Sequence, residues 1–278
     1  MIDITLEDQY GKRAVRVSKI KRLADRHEFV EASIDVVLEG DFAASFLTGD
    51  NRQIVATDSI RNTIYLKAKQ DPWSSIESLG ITLCRHFIET YPHVSKTTAT
   101  LREHLWHRIG SSPAAFVGAD GETPTASVTL KRGEQLTVHA GLDNLMVAKT
   151  TDSAFKDFID DEYRTLPDTD DRILATVLAA NWQYNSAAID FVAARQSIRA
   201  AMLYTFANHM SLAVQQTIHL MGQAALEACP QMSSITLTMP NKHHLRFNLA
   251  PLGEQNQNEV FHVTDEPFGW IQGTLTRK

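Results

Sequence analysis

Five stretches of this 278-residue chain are more polar than their neighbourhood requires. The last, "TMPNKHH" at residues 238–244, sets Asn241, Lys242, His243 and His244 between two alternating apolar runs, residues 234–239 and 245–249. Amides and imidazoles can both donate and accept hydrogen bonds, and histidine moves protons near neutral pH. In "YGKRAVRVSKIKR", Lys12 stands just ahead of a strand. In "GDNRQIVATDSIRNTIY", residues 54–56 deliver Thr57 and Asp58, a hydroxyl and a backbone N–H at what reads as a strand end. In "KTTDSAFKDFIDDEYRTLPDTDDRILAT", Phe155 precedes a dense acidic run and Arg172 follows it. The fifth, "SLAVQQTIHLMG", opens a helix whose first turn holds Val214 and Gln215, where backbone N–H groups are free to meet a ligand.

Each residue also has a bland reading. Lys12 alone is a solvated lysine, and Thr-Asp at a strand end is a cap or turn. Phe155 alone is core, and Arg172 is a surface ion pair with one of its acidic neighbours. The chain has 11 histidines, yet it contains neither H-E-x-x-H nor Cys-x-x-Cys. His104 and His107 lack a carboxylate at metal spacing, and His243 and His244 on a strand point to opposite faces. No G-x-S-x-G elbow marks a hydrolase. A metal site is therefore not expected, and Cys84 and Cys229 read as buried small hydrophobes.

The elements that must position these groups follow from periodicity. Strands are expected at 14–21 and 32–38, with a short one at 62–68, then a helix over 72–91. Further strands are expected at 97–106, 126–130 and 136–139. The order then repeats, with strands at 142–149 and 173–184 and a long helical region at 191–228. That region breaks near residues 208–211, with Ser211 as the N-cap. Strands at 234–239, 245–249, 259–263 and 270–275 finish the chain. Strand pair, helices and strand pairs thus occur twice, which predicts an α+β fold of two tandem units, residues 1–140 and 141–278. Antiparallel sheets with helices on one face leave the other face to be covered, so an oligomer is expected. A net charge of -6 argues against a nucleic-acid binder. The chain opens "MIDITLEDQYGK", has no ~18-residue apolar run and ends "TLTRK" rather than Ser-Lys-Leu. No membrane association and a cytoplasmic location are the expectations.

Together the five stretches resemble the urate oxidase family, enzymes that work without a cofactor. The likeness lies in "YGK…VRV" from Tyr10, "DN…VATDSIRNTIY" from Asp50 and "F…DEY.TL..T.DRILAT" from Phe155, and in "LAVQQT" from Leu212 and "MPNKHH" from Met239. These motifs are ordered and span nearly the whole chain. The resemblance implies the tunnelling fold (T-fold), in which two subunits close a barrel and two barrels stack as a homotetramer. It also implies oxidation of urate by O2 and water to 5-hydroxyisourate and H2O2, with no cofactor or metal. By the same resemblance, Arg172 and Gln215 hold opposite edges of urate, the Val214 N–H adds a bond, and Phe155 stacks on the purine. Thr57 and Asp58 come from the neighbouring subunit, and Asn241 with Thr57 forms the pocket for O2 and the attacking water. Lys12, Thr57 and His243 correspond to a proton relay in which Lys12 must be neutral to serve as a base.

"VAK" at residues 147–149 departs slightly from the family's "VLK", a matter of packing. Two alternatives are another tunnelling-fold enzyme acting on a purine or pterin with zinc, and a non-catalytic purine-binding relative. The first lacks matching Cys/His ligands, and intact Lys12, Thr57 and His243 argue against the second.

Overall fold

The computed structural model describes residues 4–278 of the chain, so the first three residues of the expected first unit lie outside it. The chain divides into two compact units. One comprises Met1–Gly141 with Gln183–Val192, and the other Leu142–Trp182 with Ala193–Lys278.

The first unit begins with β1 (Tyr10–Arg22) and β2 (His27–Gly40), followed by α1 (Ala43–Thr48), α2 (Thr57–Gln70) and α3 (Ile76–Thr90). Then come β3 (Val94–Glu103), the small hairpin β4 (Trp106–Arg108) and β5 (Phe116–Gly118), and β6 (Thr123–Lys131). Strands β1, β2, β3 and β6 pair in that order, antiparallel throughout. Alternation decides which face is covered. Ala32, Ile34, Val36 and Leu38 of β2 are completely buried, while Ser33, Asp35 and Val37 between them are only partly so. Burial of Ile34, Val36 and Leu38 stabilises the fold by about 1.5–3 kcal/mol each. Helix α3 lies very close to this sheet: a Cβ added at Gly80 would come 2.8 Å from Val128 Cγ2.

Strand β7 (Thr137–Lys149) is one continuous element where the sequence suggested two, and it carries the chain from the first unit into the second. The second unit continues with β8 (Leu174–Tyr184), α4 (Phe191–Ala207), α5 (Val214–Ala228), β9 (Met232–Thr238), β10 (Asn241–Arg246), β11 (Phe261–Thr264) and β12 (Gln272–Thr276). Strand β10 pairs antiparallel with β8 and β11, and β9 lies on β8 and pairs antiparallel with β12. Gly222 of α5 allows the same close helix–sheet approach as Gly80, since a Cβ there would meet Leu275 Cδ1 at 2.7 Å.

The two units share small devices as well as element order. Ala14 in β1 and Asn144 in β7 both take left-handed backbone angles, φ 56 and 61. Five residues after each stands a lysine that caps a helix C-terminus. Lys19 Nζ donates to the carbonyls of Ala68, Lys69 and Asp71 at the end of α2, and Lys149 Nζ donates to that of His209 after α4. Arginines one residue past β6 and β12 do the same. Arg132 reaches Ile88, Tyr91 and Val94, and Arg277 reaches Leu226, Cys229 and Met232. A cation there satisfies orphan carbonyls and complements the helix dipole. Two residues before Ala14 is Lys12, whereas two before Asn144 is the buried Leu142. The scaffold is duplicated; the candidate base is not.

Further expectations require correction. Residues 62–68 are helix, not strand. Thr57, Ile60, Thr63 and Ile64 favour strands by type, but Ile60, Ile64 and Ala68 recur every four residues and are the buried stripe of α2. Ser211 is not the N-cap of α5; that position is Ala213. Asn241–His244 do not form a junction between strands. They lie inside β10, which starts directly after Pro240.

Candidate functional site

In the first unit, a β-bulge aims Lys12. The register runs Lys12↔Val36 and then Val15↔Ile34, so Arg13 and Ala14 together oppose Asp35, and Ala14 N–H donates to Asp35 Oδ1 at 2.7 Å. Residues opposite each other share a face. Lys12 therefore projects to the same covered side as Val15 and Val17, three and five residues on, which an unbroken strand would forbid. Helix α2 is held beside this point. The Val55 N–H donates to the Tyr10 hydroxyl at 2.7 Å, two residues from Thr57 on one side and from Lys12 on the other. Thr57 and Asp58 are exposed first-turn residues of a helix whose N-cap, Ala56, supplies no side-chain cap. The Asp58 carboxylate is engaged by Arg61 at 2.5 Å and Asn62 at 2.9 Å, so its backbone N–H is what it offers to a ligand.

In the second unit, Phe155 and Arg172 come together. The Arg172 Cζ lies 5.2 Å from the Phe155 ring centroid, and the Arg172 N–H donates to the Ser153 carbonyl at 2.7 Å. Phe158 stacks on Phe155 at 4.7 Å and 14°, with Arg164 over its ring at 4.1 Å, so a ladder of flat groups fixes the Phe155 plane. Among the described residues no carboxylate pairs with Arg172, although acidic side chains crowd the preceding segment. Its Nε is buried and without a hydrogen-bond partner, and burial draws the guanidinium below its ordinary pKa. A half-buried guanidinium with no carboxylate partner is suited to a planar anion.

The start of α5 is tied to the same place. The segments at Ser153 and Ser211 form a parallel bridge, the Ala154 N–H donates to the Ser211 carbonyl, and the Ser211 N–H donates to that of Asp152. Helix α3 closes its own N-terminus with a capping box between Ser75 and Ser78. Helix α5 has Ala213 at that position and no side-chain cap, which leaves the Val214 and Gln215 N–H groups to a ligand.

Strand β10 contributes the polar pair. Asn241 Nδ2 donates to Nδ1 of His243 at 3.3 Å, so the two side chains share a face. Lys242 turns elsewhere to pair with Asp265 at 2.7 Å, and His244 Nδ1 meets the Lys242 carbonyl at 3.2 Å. Asn241 lies opposite Thr176 of β8, a residue the sequence reading passed over. Thr176 is 1% exposed and its hydroxyl has no partner among the described residues; the same holds for the fully buried Ser153 hydroxyl. The available signal was a hydroxyl at a core position of a strand whose other even-numbered residues, Leu174, Leu178, Ala180 and Trp182, are apolar.

Thus Lys12, Thr57 and Asp58 belong to the first unit, and Phe155, Arg172, Val214, Gln215, Asn241 and His243 to the second.

The sequence profile of the Uricase family matches residues 8–129 and 138–272. A uricase from Arthrobacter globiformis is 40% identical over 272 residues, covering 98% of this chain and 89% of that protein. A uricase from Dictyostelium discoideum is 35% identical over 278 residues, covering 98% and 97%. The crystal structure of the Arthrobacter globiformis uricase superimposes with a TM-score of 0.96 at 38% identity, covering 100% of this chain and 96% of that one.

Proposed function

The chain belongs to the uricase family, and from that membership we propose that it oxidises urate with O2 and water to 5-hydroxyisourate and H2O2, without a cofactor. The observation that carries the reading beyond membership is the half-buried Arg172 guanidinium, its buried Nε unpartnered and no carboxylate upon it among the described residues, beside the Phe155 ring and bonded through Ser153 and Ser211 to an uncapped helix start. A flat purine anion suits that arrangement: charge for the guanidinium, a ring for Phe155, and donor and acceptor edges for Gln215 and the Val214 N–H.

The remaining roles complete the proposal. Lys12 withdraws a proton from bound urate through the Thr57 hydroxyl, enriching the ring so that it can pass electrons to O2. His243 exchanges protons on the far side of the relay, and Asn241 with Thr57 holds O2 and then the attacking water. Positioned acid–base groups of this kind supply ~10²–10⁴-fold in rate. The ring is oxidised by two electrons, and O2 takes them up with two protons as H2O2. The exposed Thr57 and Asp58 reach the urate held by a neighbouring subunit, within a homotetramer of two tandem tunnelling-fold units. An isolated monomer is then inactive, and light scattering combined with activity tests this point.

No helix among the described residues is long and apolar enough to cross a membrane. A cytoplasmic location belongs to the same proposal; it rests on the likeness to the Arthrobacter globiformis relative, and cell fractionation tests it. The reaction is tested by following the ultraviolet band of urate in air. Its loss with one H2O2 formed per urate supports the reading, and its persistence refutes it.

A further inference from the structure

The connection between α4 and α5 contains a chain of hydrogen bonds that runs from the half-buried His209 into the core. His209 Nδ1 is 2.6 Å from the Thr205 carbonyl oxygen, which can only accept, so Nδ1 carries the proton. The other ring nitrogen, Nε2, lies 3.0 Å from the Thr217 hydroxyl, which also has the Ala213 carbonyl at 3.3 Å. The Thr217 and Ser211 hydroxyls hydrogen-bond to each other at 2.8 Å, a shorter contact than the 3.3 Å from either to the Ala213 carbonyl. These contacts link Ser211 through Thr217 and His209 to the end of α4. Ser211 and Thr217 are completely buried. A chain of this type is cooperatively strengthened, and losing one member leaves the others unsatisfied in a dry place.

Its ends are what give it a function. Ser211 is the residue through which the 208–213 connection is bonded to Asp152 and Ala154, and Ser153 next to them accepts from the Arg172 N–H. Thr217 lies on the first turn of α5, with Val214 and Gln215. Lys149 Nζ donates to the His209 carbonyl. The chain therefore spans from the segment that carries Phe155 and Arg172 to the helix start that carries Val214 and Gln215. A rigid planar ligand gripped at both edges needs that gap held to a fraction of an ångström.

We propose that His209, Thr217 and Ser211 are positioning residues for the proposed urate site, setting the distance between its Arg172 edge and its Gln215 edge without touching the ligand. This rests on the function proposed above. The experiment compares Thr217→Val, which removes the hydroxyl at nearly constant volume, with Thr217→Ser, which keeps it. Equilibrium binding of urate is measured without O2, so that no turnover occurs, and steady-state kinetics are measured in air. We expect Thr217→Val to raise both the urate Kd and KM about tenfold, the ratio that one net hydrogen bond supports, with kcat within about threefold. Thr217→Ser should return Kd to within about twofold of wild type, at a temperature where all three proteins are folded. A purely structural hydroxyl would lower the melting temperature and leave Kd unchanged. Wild-type affinity in Thr217→Val, or equal impairment in Thr217→Ser, overturns the inference. If Thr217→Val does not fold, Ser211→Ala interrupts the chain at its other end and is judged by the same Kd criterion. A wild-type protein that neither binds nor consumes urate would instead refute the proposed function.

Discussion

The guanidinium carbon of Arg172 stands 5.2 Å from the ring centroid of Phe155, and no acidic side chain among the described residues has claimed the guanidinium. A charged fork held back from so many nearby carboxylates is reserved for something else. Arg172→Ala should weaken anaerobic urate binding by roughly 10–100-fold, the range for losing hydrogen bonds to a charged partner. Arg172→Lys should recover little of it, because an ammonium cannot reproduce the planar fork. Equilibrium titration measures this, and an unchanged dissociation constant in Arg172→Ala would remove Arg172 from the site.

Lys12 poses the opposite test. It sits where a bulge turns it toward the covered face of β1, in the first unit, while the proposed grip on urate belongs to the second. Lys12→Met should cut kcat by ~10²–10⁴-fold and leave anaerobic urate affinity within a few-fold of wild type. Loss of binding with kcat preserved would reverse the assignment.

The cap carried by Arg277 is a claim about stability alone. Its guanidinium bonds the carbonyls of Leu226, Cys229 and Met232, and the residue is exposed, so Arg277→Ala should cost about 1–2 kcal/mol in equilibrium denaturation. Arg277→Lys should recover part of this. The urate Kd of refolded Arg277→Ala should match wild type; if it shifts, the cap is coupled to the site.

Cys84 gives a pH signature. It is completely buried, its thiol donates to the Val128 carbonyl at 3.2 Å, and burial pushes its pKa from an ordinary 9.0 up to about 12. The unfolded chain releases this proton near pH 9 and the folded chain only near pH 12. The stabilising contribution is therefore complete below pH 9 and is lost as pH rises from 9 to 12. Wild-type stability should fall across that window more steeply than that of Cys84→Ala. Thiol reagents near pH 8 should spare Cys84 until the protein unfolds, and rapid native-state labelling would contradict its burial.

How much the sequence disclosed depended on whether a signal was local. The long amphipathic helix over Ile76–Thr90 was legible because its apolar residues recur at helical spacing between Pro72 and Pro92. Helix α2 was not, because β-branched residues at 57, 60, 63 and 64 outweighed the four-residue spacing of Ile60, Ile64 and Ala68. The separation of His243 from His244 follows from strand alternation, and the hydrogen bond of His243 to Asn241, two residues away, displays that alternation. The location of these residues inside β10 was hidden, since four polar residues in a row resemble a turn unless one knows that the strand face meets a site. The bulge that aims Lys12 left no trace in the sequence, because an alanine at φ 56 is imposed by the ladder around it, not by its own preference. Thr176 was passed over for a similar reason: only the register with β10 sets it opposite Asn241.

Cofactor-free oxidation of urate is tested most directly by one stoichiometric measurement. Protein freed of metal by prolonged chelation is supplied with urate and air in the continued presence of EDTA, and urate loss, O2 uptake and H2O2 are recorded together. The expected result is an undiminished rate with the three quantities in a 1:1:1 ratio. Urate that persists, or a rate that EDTA abolishes and a returned metal ion restores, would contradict it.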